Sequence, residues 1–284
     1  MKSWDTPLAP HYGSRSLAAL RFTGFLILIL LMVPVHIVYK ALQPRDHHRL
    51  PILFHRTLLK LIGFRVRTHG TMTNAAPVFF VANHVSYLDI PVLGALIPAY
   101  FIAKAEVARW PLFGFLAKLQ GTVFIERRSN RVREQRDQLT SHLAAGQNLI
   151  LFPEGTSSDG QMVLPFKSSL FSAIESAAED IDIVVQPVSI ACTAIDGLPI
   201  TQNLRYIYGW YGDLSLLPHM WQAFKCDRFN IDVIFHPPIH AKDMHDRKQL
   251  AVACHDAIAR GIEQCVTGRW PGEQVEPTLI PAPI

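Results

Sequence analysis

Apolar and polar positions along this chain follow two periods. Short solid apolar runs, each stopping abruptly at charged or turn-forming residues, are interleaved with stretches whose apolar residues recur at helical spacing. The runs Val78–Ala82, Tyr100–Ala103, Thr122–Ile125, Asn148–Phe152, Ile183–Ile190, Arg205–Tyr208 and Ile231–Phe235 read as strands. Helical patterns fall at Leu88–Leu96, Val107–Leu119, Arg131–Ala145, Ser168–Ala178, Leu214–Phe224 and Arg247–Gln264, and Gly146 stands where a helix C-terminal glycine is expected. Such alternation predicts an α/β fold with a mostly parallel central sheet flanked by helices.

The ends of the chain break this pattern. From Phe22 to Tyr39 there is no acid or base, and about twenty such residues cross a bilayer core as a helix. Val38-Tyr39-Lys40 offers no small-residue cleavage site, so the segment reads as a retained membrane-anchoring helix rather than a signal peptide. Pro34 and His36 leave open whether it spans or lies shallow, and a buried core helix is the alternative. Lys40, Arg45, Arg49, Arg56 and Lys60 follow it, against Lys2 and Arg15 before it, a bias that puts the bulk of the protein on the cytoplasmic side. Next, Phe54, Leu58, Leu61 and Ile62 form one helical stripe with Arg49, Arg56 and Lys60 on the other side. That helix fits the membrane interface and the domain surface equally well. The prolines at 277, 281 and 283 end the chain without periodicity. The expected division is an anchor region over 1–49, one catalytic domain over 50–270 and a flexible tail over 271–284.

Composition agrees with a membrane partner. Hydrophobic residues make up 49% and charged residues only 18%, so apolar surface is left over for lipid. The net charge of +4 suits an anionic membrane surface, and no Lys/Arg run interleaved with aromatics suggests nucleic acid. Cys192, Cys226, Cys254 and Cys265 form no closely spaced pair, which argues against a structural metal and a disulfide framework. His47-His48 lies in a polar loop and reads as solvated surface.

Chemistry concentrates where apolar runs end. Val78–Ala82 stops at Asn83-His84, with Asp89 five residues after the histidine. A buried strand carrying a histidine to its carboxyl end beside a carboxylate is how open α/β sheets present catalytic groups. Ser86 and Asp89 fit a helix N-cap pair as well. Asn148–Phe152 ends likewise in Pro153-Glu154-Gly155-Thr156, where glycine lets backbone N–H groups approach an oxyanion or phosphate, or simply makes a turn. A third run, Thr122–Ile125, leads to Arg127 and Arg128; arginine there clamps phosphate or sits solvated.

Taken in order, Asn83-His84-x4-Asp89, the block from Lys104 and Glu106 through Pro111 and Gly114 to Gly121-Thr-Val-Phe-Ile-Glu-Arg127, Phe152-Pro-Glu-Gly-Thr156 and Val184-Val-Gln-Pro-Val188 resemble the four motifs of the glycerolipid acyltransferase family. The resemblance covers roughly residues 75 to 190. It implies a membrane-bound O-acyltransferase with His84 as general base and Asp89 orienting it. The donor would be a thioester of acyl carrier protein or coenzyme A, acting as co-substrate, with no bound cofactor and no metal. Arg127 or Lys167 would hold phosphate, Lys104 would be a further substrate-binding residue, Glu154 would contact the acceptor head group, and Gly155 and Thr156 would face the oxyanion. It also implies a bacterial inner-membrane location, with membrane lipids and acyl carrier protein as partners.

One departure bears on the acceptor. Members acting on lysophosphatidic acid commonly follow Glu-Gly-Thr with Arg-Ser, whereas this chain reads Ser157-Ser158-Asp159. That segment, with Leu164-Pro-Phe-Lys-Ser168, Trp210-Tyr-Gly-Asp213 and Leu217-Pro-His219, is similar to bacterial relatives that acylate lyso-ornithine lipid. Phosphatidic acid synthesis is the alternative. A hydrolase using the same pair on water, or a non-catalytic lipid-binding protein, would be further readings.

Overall fold

The computed structural model describes residues 12–43, 48–126, 132–178, 181–269 and 278–279. The chain begins with helices α1 (Arg15–Leu42) and α2 (Arg49–Leu61), then runs β1 (Phe64–Gly70), β2 (Val78–Ala82), α3 (Asp89–Leu96), β3 (Tyr100–Lys104), α4 (Phe113–Leu119), β4 (Val123–Ile125), α5 (Val132–Ala144) and β5 (Leu149–Leu151). It continues through α6 (Ser172–Ala177), β6 (Val184–Ile195), β7 (Leu198–Pro199), α7 (Gln202–Tyr208), α8 (Leu216–Phe224), β8 (Phe229–Phe235), β9 (Ile239–His240), α9 (Arg247–Thr267) and β10 (Thr278–Leu279).

The strands form one sheet in the order β10-β1-β8-β6-β2-β5-β3-β4, with β7 and β9 paired to β6. From β6 to β4 every pairing is parallel, so the carboxyl ends of β2, β3, β4 and β5 share one edge. The β6–β8 pairing is antiparallel, and β1 runs parallel to β8. All five residues of β2 are buried because it is a central strand with both faces covered. Alternate residues serve two cores. Val78, Phe80 and Ala82 join Phe101 and Ile150 under α2, α3 and α8, while Phe79 and Val81 join Ile102 and Leu149 under α5, α6 and α9.

Four elements differ from the sequence reading. Arg205–Tyr208 is helical, because Leu204, Ile207 and Tyr208 are the buried residues and that spacing is helical despite strand-like composition. Phe64–Gly70 is a strand in which Phe64 and Val66 point inward between exposed or half-buried arginines. The helix expected over Val107–Leu119 is broken at Trp110-Pro111-Leu112, where Leu112 takes a φ of 60°; a 3-10 turn precedes the break and α4 follows it. The 3-10 turn Ser168–Phe171 likewise precedes α6. Most of the tail over 271–284 lies outside the described residues; Thr278 and Leu279 pair antiparallel with β1.

Helix α2 lays His55, Leu58 and Leu59 on the domain, and the Arg56 Nε–H donates to the Ala95 carbonyl at 3.0 Å. Helix α1 is long and apolar enough to cross a membrane. It lies against the domain along its length: Phe22 packs on Trp221, Phe25 on Phe113 and Phe224, and His36 Nε2 lies 3.3 Å from the Leu119 carbonyl. Arg21, 6% exposed, donates to the carbonyls of Phe224, Cys226 and Asp227, which satisfies a guanidinium that would otherwise be costly to bury. The opposite face of α1, with Leu20, Leu30, Leu31, Val38 and Leu42, is open. Phe115 on α4 and Leu217 and Trp221 on α8, the helices α1 packs on, are exposed as well, and exposed apolar side chains in such number mark lipid contact.

Candidate active site

Strand β2 ends by exchanging its backbone ladder for a side chain. After Ala82 pairs with Val188, the Asn83 amide accepts from Ile190 N–H at 2.8 Å and donates to the Ile190 carbonyl at 2.9 Å. The next residue is thereby turned out over the carboxyl edge of the sheet, and it is His84. Its ring stacks on Phe152, just past the end of β5, with centroids 4.2 Å apart.

His84 Nδ1 lies 2.9 Å from Asp89 Oδ2, and Asp89 is fully buried as the first residue of α3. The same carboxylate oxygen accepts from the N–H groups of Val85 at 2.7 Å and Ser86 at 2.9 Å, and the Tyr208 hydroxyl donates to Oδ1 at 2.6 Å. A buried carboxylate is tolerated here because four donors surround it. The capping and catalytic readings of Asp89 merge: one side chain closes the loop ahead of α3 and holds the histidine. This pairing fixes Nδ1 as the protonated nitrogen and leaves Nε2 to accept a proton from a substrate.

The loop between His84 and Ser86 is held by its backbone. His84 N–H donates to Glu154 Oε1 at 2.8 Å, the His84 carbonyl accepts from Ser158 N–H at 3.0 Å, and the Val85 carbonyl accepts from Trp210 N–H at 3.0 Å. The Ser157 hydroxyl donates to the Trp210 carbonyl, tying the Glu-Gly-Thr turn to the same segment.

Glu154 is 2% exposed, and its second oxygen accepts from Leu164 N–H at 3.1 Å. Its carboxylate is therefore engaged with backbone rather than presented to a head group. Burial raises its pKa from the usual carboxylate range to about 7, against the lowering effect of the two N–H donors. The folded state thus holds this proton more tightly than the unfolded chain. Stability falls as pH rises between about 4.5 and 7, by up to on the order of 3 kcal/mol. Glu154→Gln removes that ionisation. Thermal unfolding from pH 5 to pH 8 should show the variant gaining on the wild type as pH rises; a constant difference would refute the assignment.

Two cavities lie near the dyad on opposite faces of the sheet: Tyr87 and Leu88 line one, and Phe152, on which His84 stacks, lines the other. An apolar one of about 230 Å³ is walled by α1, α2 and α4 and includes Phe25, Phe54, Leu88, Phe101 and Phe113. The other, of about 390 Å³, lies past the ends of β3, β4 and β5 and is lined by Lys104, Glu126, Arg136, Phe152, Gly155 and Lys167. Alternation along β3 divides them, with Phe101 facing the first and Ile102 and Lys104 the second. Of the residues expected at the site, the structure joins His84, Asp89 and Glu154 by hydrogen bonds and places Lys104, Gly155 and Lys167 together in the lining of the second cavity. The Gly155 N–H donates to the Phe152 carbonyl at 3.1 Å, Thr156 is exposed, and Arg127 lies outside the described residues. Tyr208, Ser158 and Phe152 were missed as site residues. Phe152 carried a sequence signal as the end of an apolar run and Ser158 as part of the Ser157-Ser158-Asp159 segment, whereas Tyr208 carried none.

Comparison with known proteins agrees with this geometry. A family model described as Acyltransferase matches residues 64–191. The chain is 37% identical over 246 residues to a lyso-ornithine lipid O-acyltransferase of Brucella abortus, covering 85% of this chain and 92% of that one. It is 34% identical over 183 residues to a 1-acyl-sn-glycerol-3-phosphate acyltransferase of Neisseria gonorrhoeae, covering 64% and 68% respectively. Its fold is similar to that of the 1-acyl-sn-glycerophosphate acyltransferase PlsC from Thermotoga maritima, with a TM-score of 0.65 at 20% identity over 91% of this chain and 98% of that one. With a curated relative 37% identical and matched over 92% of its length, and a histidine–carboxylate dyad at the matched strand ends, this membrane-associated chain belongs to the acyltransferase family and is an acyltransferase.

Proposed function

We propose that the protein moves a fatty acyl chain from a thioester of acyl carrier protein or coenzyme A to the hydroxyl of lyso-ornithine lipid. The observation that carries the reaction is the His84–Asp89 pair, 2.9 Å apart, with Asp89 fully buried and the His84 side chain 20% exposed past the carboxyl end of β2. His84 Nε2 takes the proton of the acceptor hydroxyl as its oxygen attacks the thioester carbonyl carbon. The tetrahedral intermediate collapses with loss of the thiolate, which recovers the proton from the imidazolium. Asp89 stabilises that imidazolium, so no enzyme nucleophile is needed.

The two cavities suit the two halves of the substrates. The apolar one takes hydrocarbon, and its α1 and α4 walls adjoin the exposed apolar surface through which chains enter from lipid. The second, with Lys104, Arg136 and Lys167 beside Glu126, accepts a polar group bearing an anionic centre. The acceptor assignment rests on similarity to the lyso-ornithine lipid acyltransferases over most of the chain and on Ser157 and Asp159 in place of an arginine-containing segment. The cationic excess at the end of α1 and after it, at Lys40, Arg49, Arg56 and Lys60, favours a domain facing the cytoplasm at the inner membrane.

Purified protein in detergent, given acyl carrier protein and coenzyme A thioesters, should acylate lyso-ornithine lipid at least tenfold faster than 1-acylglycerol-3-phosphate. Turnover of the glycerophosphate alone would overturn the acceptor and leave the dyad chemistry standing.

A further inference from the structure

We infer that Tyr208 is a positioning residue for acyl transfer, setting the orientation and charge of Asp89 so that His84 presents Nε2 as the base; this rests on the dyad mechanism proposed above. Tyr208 is 1% exposed and ends α7, outside the segment matched by the family model. Its ring packs against Phe64 and Phe229 in the core, and its hydroxyl donates to Asp89 Oδ1 at 2.6 Å. The other three donors to Asp89, from His84, Val85 and Ser86, all use Oδ2. Tyr208 therefore serves the oxygen on the opposite side of the carboxylate. The bond stops the carboxylate from rotating about its axis and withdraws part of its charge from the histidine.

The residues around Tyr208 form an arm that fixes the same loop. Trp210 N–H donates to the Val85 carbonyl at 3.0 Å. His219 on α8 lies with Nε2 3.0 Å from the carbonyls of Tyr206 and Gly209, and its Nδ1 is 3.0 Å from the Tyr87 hydroxyl. Burial depresses the His219 pKa to about 4, so near neutral pH the ring is uncharged. The turn at Gly209 and Trp210 is thereby locked to the segment that carries His84, and Tyr208 is held at the height of Asp89. This gives a physical role to Trp210 and His219, which lie in the segments that resemble lyso-ornithine lipid acyltransferases.

The role separates from simple packing in kinetics. Tyr208→Phe removes one oxygen and keeps the ring. We expect kcat to fall about tenfold to a hundredfold, with KM for donor and acceptor within twofold of wild type, since neither substrate touches the residue. Without the competing donor, Asp89 holds the imidazolium more tightly, so the acid limb of the kcat/KM profile should move to higher pH. A second variant keeps the fold independent of the missing oxygen. Replacing Tyr208 by 3,5-difluorotyrosine makes the hydroxyl a stronger donor and should move the acid limb to lower pH. His84→Ala is assayed alongside. If His84→Ala is inactive while Tyr208→Phe keeps wild-type kcat, or if neither Tyr208 variant moves the acid limb, the Tyr208 assignment is overturned and the dyad stands. If His84→Ala remains active, the dyad itself is wrong.

Discussion

Replacement of His84 by alanine should abolish acyl transfer, lowering kcat/KM by on the order of 10³-fold or more while leaving a folded, membrane-bound protein. The size follows from what the two carboxylates beside His84 can do in its place: Asp89 is fully buried and Glu154 is turned into backbone donors. The fold should survive for a separate reason. The imidazole is 20% exposed, and its removal leaves Asp89 with the donors of Val85, Ser86 and Tyr208, so no buried charge is orphaned. What is lost is the stacking contact with Phe152, about 1 kcal/mol. Membrane association should be unchanged, because α1 meets the domain through α2, α4 and α8 rather than through the loop after β2. Assay with acyl carrier protein and coenzyme A thioesters, thermal unfolding and membrane sedimentation read the three claims separately. Residual transfer within tenfold of wild type would rule out His84 as the base.

The parts of this architecture that the sequence displayed are those where one kind of residue dominates. Val78–Ala82 has no polar position, and such a run has little choice but a central strand. Its abrupt end at Asn83-His84 located half of the site, and the run ending at Phe152 located the turn that meets it. Where composition and environment disagree, the reading failed. Phe64–Gly70 alternates apolar residues with Arg65, Arg67 and His69, and its place beside β8 depends on a partner some 165 residues away in sequence. Arg205–Tyr208 has strand-like residues, yet what it buries is a helical face. Tyr208 was hidden for that reason: its partner Asp89 is 119 residues earlier, and no local pattern records a hydrogen bond closed only by tertiary folding. Glu154 shows the opposite limit. It was seen at once as a charged residue at a strand end, but whether such a group faces a substrate or the backbone is decided by the turn geometry around Gly155 and Leu164.

Asp89→Asn should cost nearly as much activity as loss of the histidine, on the order of 10³–10⁴-fold in kcat, together with measurable stability. A carboxylate accepts at both oxygens, whereas the amide offers one acceptor and one donor. All four neighbours of Asp89 donate in the arrangement described, three to Oδ2 and one to Oδ1. If the amide oxygen takes the Oδ2 side, its NH2 group confronts the Tyr208 hydroxyl, which must reverse its hydrogen inside a closed core. If the amide flips, NH2 faces two backbone N–H groups and the imidazole, and His84 is driven towards the tautomer in which Nε2 carries the proton and can no longer act as base. Either arrangement leaves a buried donor unsatisfied, a loss of about 1–3 kcal/mol in unfolding free energy. Both also remove the charge that stabilises the imidazolium formed as the hydroxyl attacks. The decisive comparison is the double variant. Because Asp89 acts only through His84, His84→Ala combined with Asp89→Asn should be no slower than His84→Ala alone. A further drop in the double variant would mean that Asp89 touches the reaction by a second route, and the dyad would have to be redrawn with the carboxylate acting on substrate directly.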